Sequence, residues 1–229
     1  MRLVLFDIDG TLLWTDGAGR RAMEGALSHV FGSAGDPRYR YDGKTDVQIA
    51  RELMRAEGHA DDAIDARLHA VLDGYLERLR RELDAGARHV ELLPGVPELL
   101  DALEPRPDVV LGLLTGNVAL GAEAKLTAAG LDFRRFRVNA FGSDHEHRPL
   151  LPAVAQRRAR EILGHAFGGE DVVVIGDTPA DIDCARSIGA RTVAVATGRY
   201  SVEELAEHEP AVVLRDLSDT EAALRAILG

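Results

Sequence analysis

The chain has 229 residues, 46% of them hydrophobic, and a formal net charge of −11. That length admits one large domain or two smaller ones, each able to bury a proper core. So acidic a balance argues against nucleic-acid and anionic-membrane partners, which need basic surfaces. Its one cysteine, Cys184, excludes an intrachain disulfide. The short apolar run before Asp7 cannot make a signal peptide or a membrane span, so a cytoplasmic protein is expected.

Leu3 to Phe6 reads as a strand buried on both faces, as in a parallel sheet. It ends in two carboxylates, Asp7 and Asp9, which alternation along an extended chain puts on the same side. Gly10 permits the turn that follows and Thr11 offers a hydroxyl; both are assigned to the anion-binding loop. Helices are expected over 20–30, 46–57 and 61–83, joined by a loop from 32 to 43, with no strand between 18 and 88. Trp14 is expected to pack where this helical stretch meets the flanking chain.

From the Pro94-Gly95 turn the pattern changes. Apolar runs at 109–114, 136–141, 172–175, 191–196 and 211–214 read as strands, with helices over 96–103, 118–129, 151–163 and 180–188 between them. Gly130 and Gly189 close two of those helices. The alternation predicts an α/β fold, a doubly wound, mostly parallel sheet with an α-helical insertion. Residues 1–13 and 90–229 are expected to form the core and 14–89 the insert.

Functional groups gather at strand ends, where open α/β sheets bind ligands. Thr115, Gly116 and Asn117 follow the second strand and offer a hydroxyl and backbone amides at a helix start, a phosphate cradle. Asp177 and Asp181 follow the fourth, four residues apart at the positive end of a helix. Together with Asp7 and Asp9 they make an all-oxygen cluster suited to Mg2+. A metal, a phosphate cradle and an in-line carboxylate describe phosphoryl transfer.

Asp7-Ile8-Asp9-Gly10-Thr11, the strand ending in Thr115, and Gly176-Asp177-Thr178-Pro179-Ala180-Asp181 resemble motifs I, II and IV of the haloacid dehalogenase-like (HAD) hydrolases. The helical insert is similar to the cap of the phosphoglycolate phosphatase and β-phosphoglucomutase branch. The resemblance implies that Asp7 is the nucleophile and Asp9 the acid and base. It also implies that Asp7, the Asp9 carbonyl and Asp177 hold Mg2+ with help from Asp181, and that Thr115 holds the phosphate.

In motif III the sequence departs from the pattern. Many relatives have a lysine before proline; here Arg148 precedes Pro149. Arg148 is the expected partner of Asp7. Lys125, its rival, lies about 12 Å down its helix from Asn117, too far to reach back easily. His145 and His147 are expected to be exposed loop residues, and Cys184 a packing residue. In the cap, Lys44, one of only two lysines, and Arg20 are candidates to meet the substrate. The expected reaction is hydrolysis of a small phosphorylated metabolite by a monomer or homodimer. The alternatives are a sugar phosphomutase, or a receiver-like phosphorylation module.

Overall fold

The computed structural model describes residues 1–85 and 89–229. After β1 (Arg2–Phe6) come β2 (Leu13–Trp14), the helices α1 (Ala18–Phe31), α2 (Asp46–Ala56) and α3 (Asp61–Ala85), and β3 (Glu91–Leu92). The chain continues through α4 (Val96–Leu103), β4 (Val109–Thr115), α5 (Ala119–Ala128), β5 (Val138–Phe141), α6 (Leu151–Leu163), β6 (Val172–Gly176) and α7 (Pro179–Ser187). It ends with β7 (Arg191–Val195), α8 (Val202–Ala206), β8 (Val212–Leu214) and α9 (Thr220–Leu228).

Six strands form one sheet in the order β5-β4-β1-β6-β7-β8. All of its pairings are parallel. The α/β class and doubly wound sheet expected from the sequence are therefore present. Strand side chains alternate between two cores. Val4, Phe6, Leu111, Leu113, Val173 and Ile175 pack toward α4, α5 and α9. Leu3, Leu5, Val110, Leu114, Val172 and Val174 pack toward α6 and α7. Apolar side chains on both faces explain why these strands read as unbroken hydrophobic runs.

The topology determines where a site can form. From β1 the chain goes to β4 and β5 on one side, then crosses to β6, β7 and β8 on the other. A crevice opens where the strand order reverses, beyond the carboxyl end of β1. Phe6 pairs with Leu113 of β4 and Ile175 of β6, so the ends of the three strands are level.

Helices α1, α2 and α3 share a third core, built on Met23, Leu27, Leu53, Ile64, Val71 and Tyr75, with Val118 ahead of α5 packed against it. Among the described residues no strand lies between 18 and 85; residues 86–88, within the expected insert, lie outside those described. The chain leaves and re-enters the sheet layer through a two-stranded antiparallel ribbon, in which Leu13 pairs with Leu92 and Trp14 with Glu91. Trp14 does not pack as expected. It is 47% exposed, because its position on a two-residue strand turns it outward while Leu13 turns in. No described helix is long and apolar enough to cross a membrane.

Candidate active site

Asp7 continues β1, its amide donating to the Ile175 carbonyl at 2.9 Å. The chain then folds back on itself: the amides of Thr11, Leu12 and Leu13 all donate to the Ile8 carbonyl. Gly10 takes a left-handed φ of 82° there, as a β-carbon at that position would run into the Asp177 carboxylate, 2.5 Å away. Gly198 approaches the same carboxylate from the other side, where a β-carbon would lie 1.7 Å from Oδ2. Two glycines thus make a cradle for Asp177, and Thr11 Oγ1 donates to its Oδ1 at 3.1 Å.

Asp181 sits in the first turn of α7, with its Oδ2 accepting from the Thr178 amide at 3.1 Å and Thr178 Oγ1 at 2.7 Å. Gly176 leaves room for it, since a β-carbon there would touch the Asp181 carboxyl carbon. The outcome is three buried carboxylates, Asp7, Asp177 and Asp181, whose oxygens lie within 4.8 Å of one another.

Such crowding has an electrostatic cost. Burial, opposed in part by Arg148 and reinforced by Asp181 and Asp9, pushes the Asp7 carboxyl up to about 6. Burial followed by the charges of Asp181 and Asp7 pushes Asp177 well above the usual carboxylate range. Among the described residues one cation faces this trio: Arg148 Nη2 lies 2.5 Å from Asp181 Oδ1 and 3.0 Å from Asp7 Oδ1. Burial works against its charge, but Asp181 and Asp7 more than restore it and hold the guanidinium protonated. Three carboxylates against one guanidinium leave a negative, all-oxygen, water-poor site, the chemistry of a hard divalent cation such as Mg2+. The residues fit the ion.

On the opposite flank, Asn117 Nδ2 donates to Thr115 Oγ1 and Asp9 Oδ2, each at 2.8 Å. Thr115 is fully buried, and among the described residues its hydroxyl proton has no acceptor. Lys125 Nζ lies 2.8 Å and 2.6 Å from the two Asp9 oxygens and 2.6 Å from Asn117 Oδ1. This corrects the expectation that Lys125 lies out of reach. Helical side chains slant back toward the N-terminus, and α5 begins only at Ala119, so an extended lysine recovers most of the distance.

The cap candidates are placed otherwise. Lys44 Nζ is 2.6 Å from Glu52 Oε2 and 2.7 Å from Tyr39 Oη. Arg20 bonds Glu24 and the carbonyls of Pro37 and Tyr39. Both charges are spent inside the helical layer, and neither is brought to the carboxylates. Cys184 is buried against the Arg148 carbonyl. His147 is exposed and His145 half-buried.

One group was missed. Asp46, the first residue of α2, is buried, and its Oδ2 accepts from the Val118 amide at 2.8 Å. Burial, with Lys125 opposing it, pushes this carboxyl up to about 6. Its position after Thr45 reads in sequence only as an ordinary helix start. Nothing local shows that it docks on another element.

A family model described as HAD-hydrolase-like matches residues 151–220. A phosphoglycolate phosphatase of Synechococcus elongatus is 29% identical over 96% of this chain and 95% of its own. Among solved structures, a hydrolase from Pseudomonas syringae superposes with a TM-score of 0.74 at 22% identity, covering 99% of each chain. CbbY from Rhodobacter sphaeroides, in complex with phosphate, superposes with a TM-score of 0.73 at 21% identity, covering 96% of each. With the three motif strands converging on one acidic crevice, the chain is similar to haloacid dehalogenase-like hydrolases in fold and in the match over residues 151–220, and to a phosphoglycolate phosphatase along nearly its whole length.

Proposed function

We propose that this HAD-like phosphatase hydrolyses a small, soluble phosphate monoester with Mg2+, through a phosphoryl group carried on Asp7. The observation that carries the reading is the cluster of Asp7, Asp177 and Asp181 within 4.8 Å at the sheet's switch point. Asp7, the Asp9 carbonyl and Asp177 would hold the metal, with Asp181 beside them; when bound it neutralises phosphate charge and steadies the nucleophile. Arg148 keeps Asp7 oriented and adds a fixed positive charge beside it. The Thr115 hydroxyl and the amides of Gly116 and Asn117 are donors for the phosphate oxygens.

In the first half-reaction an Asp7 oxygen forms a bond to phosphorus as the ester P–O bond breaks. Asp9 gives its proton to the departing alkoxide oxygen. In the second, water attacks phosphorus, Asp9 takes a water proton, and the Asp7–phosphorus bond breaks to release phosphate. Similarity to a phosphoglycolate phosphatase supports a small anionic ester as substrate, and the single cysteine suits a cytoplasmic location.

The test is steady-state release of phosphate from p-nitrophenyl phosphate and from a panel of alkyl phosphates, with Mg2+, for the wild type and Asp7→Asn. Sustained turnover that falls at least about a thousandfold in Asp7→Asn is expected. Activity surviving that substitution would remove Asp7 as nucleophile. A single lasting phosphorylation without turnover would favour a receiver-like module, and transfer of phosphate to a sugar hydroxyl a phosphomutase.

A further inference from the structure

Lys125 is 4% exposed, and a buried lysine is uncommon unless a specific charge holds it. Its ammonium spans both oxygens of Asp9 and also meets Asn117 Oδ1. What faces it from other elements is unusual. Gly19, in the first turn of α1, comes so close that a β-carbon would lie 3.2 Å from Nζ and 3.8 Å from Tyr75 Oη of α3. Lys125 in turn opposes the upward push that burial gives the Asp46 carboxyl of α2, and Tyr75 stands beside both Asp46 and Asp9. The charged and titratable groups around it are therefore Asp9 from the sheet layer, and Asp46 and Tyr75 from the helical one.

We propose that Lys125 is the positioning residue for Asp9, and that it ties the orientation of this carboxyl to the helical layer where Gly19 of α1 and Tyr75 of α3 meet it. The inference rests on the reading of Asp9 as the acid and base. Asp9 lies on a turn beyond the end of β1, its backbone bridged to Leu13, which leaves the side chain to be set by its own hydrogen bonds. Lys125 and Asn117 supply its three side-chain hydrogen bonds, and Asn117 is itself tied to Thr115, the phosphate-binding candidate. When Asp9 carries a proton, one oxygen stays on the ammonium and the other turns its O–H toward the ester oxygen. Lys125 does not touch phosphate or the leaving group in this arrangement. It acts through Asp9 alone.

A leaving group that departs without a proton separates this role from general structural support. The experiment compares kcat/KM for p-nitrophenyl phosphate and for an alkyl phosphate, with Mg2+, in the wild type, Lys125→Met and Gly19→Ala. Lys125→Met is expected to lower the alkyl phosphate value at least about tenfold while leaving p-nitrophenyl phosphate within about threefold. Gly19→Ala crowds the ammonium without removing its charge and suits a helix well, so it should show the same selectivity in smaller measure at unchanged melting temperature. An equal loss on both esters, or no loss on the alkyl ester, in a folded Lys125→Met protein would overturn the inference. If Lys125→Met does not fold, a Gly19→Ala enzyme with unaltered selectivity would overturn it. A wild type that turns over neither ester, or an active Asp7→Asn, would instead overturn the reading of the site on which this inference stands.

Discussion

At the scale of single residues, the buried arginine is used as a point charge. Among the described residues only Nη2 of Arg148 reaches Asp7 and Asp181, while its buried Nε meets no partner there. A lysine ammonium could occupy the same spot without an orphaned donor. Arg148→Lys should therefore stay within about 1 kcal/mol of the wild type in urea denaturation and keep measurable turnover. Arg148→Met, which leaves two carboxylates facing each other unpaired, should lose about 3–5 kcal/mol. A larger loss for the lysine variant than for the methionine would contradict this account. Asp7, Asp9, Asp177 and Asp181 were legible because each follows a recognisable strand. Lys125 was legible only as a rarity, and Asp46 not at all. Their partners come from elements more than 70 residues away in sequence, and no local pattern encodes such distances.

Between elements, the start of α2 acts as the docking point of the helical layer. The Asp46 amide donates to the Gly116 carbonyl at 2.8 Å, and Thr45 Oγ1 donates to the Glu146 carbonyl at 2.8 Å. These contacts reach the loops that carry Thr115 and Arg148. Backbones stack there so closely that a β-carbon on Gly116 would lie 2.0 Å from the Lys44 carbonyl oxygen. One on Gly142 would lie 2.0 Å from the Gly116 oxygen. Because the obstructing atoms are main chain, relief requires moving α2 itself. Gly116→Ala should thus cut activity at least about tenfold with the sheet's circular dichroism retained. Native activity in that variant would show that the close approach is dispensable. The sheet strands were readable because each is an apolar run of useful length. Two-residue strands such as β2 and β3 carry no period to detect, and α8 is barely longer than one turn. Helix α9 did carry a signal, an Asp219 cap before the stripe of Ala223, Ala226 and Ile227, which an emphasis on the strand at 211–214 overlooked.

For the whole molecule, the site's negative charge makes stability depend on pH and on divalent cations. Asp46 titrates near 6 when folded, above its ordinary value. The folded state therefore holds this proton more tightly than the unfolded chain does, and stability falls as pH rises through that interval. The difference between low and neutral pH is of order 3 kcal/mol. Asp46→Asn, which keeps an acceptor for the Val118 amide, should lessen the fall in melting temperature between pH 4 and 7, the remainder coming from Asp7 and Asp177; an unchanged slope would reject the assignment. Mg2+ should stabilise the wild type by about 2.7 kcal/mol at a hundred times its Kd. The gain should shrink as pH drops through about 6, where Asp7 takes up a proton, and should vanish in Asp177→Asn. A magnesium response that persists in Asp177→Asn would locate the ion elsewhere. The narrow β2–β3 ribbon has an implication of another kind. With Leu13 opposite Leu92 and Trp14 opposite Glu91, the outgoing and returning chain stand one strand spacing apart, about 5 Å. A hairpin turn of two residues would bridge that gap. Everything between the two crossings is thus a cassette, open to replacement by a foreign lid without lengthening or cutting a single strand of the sheet beneath.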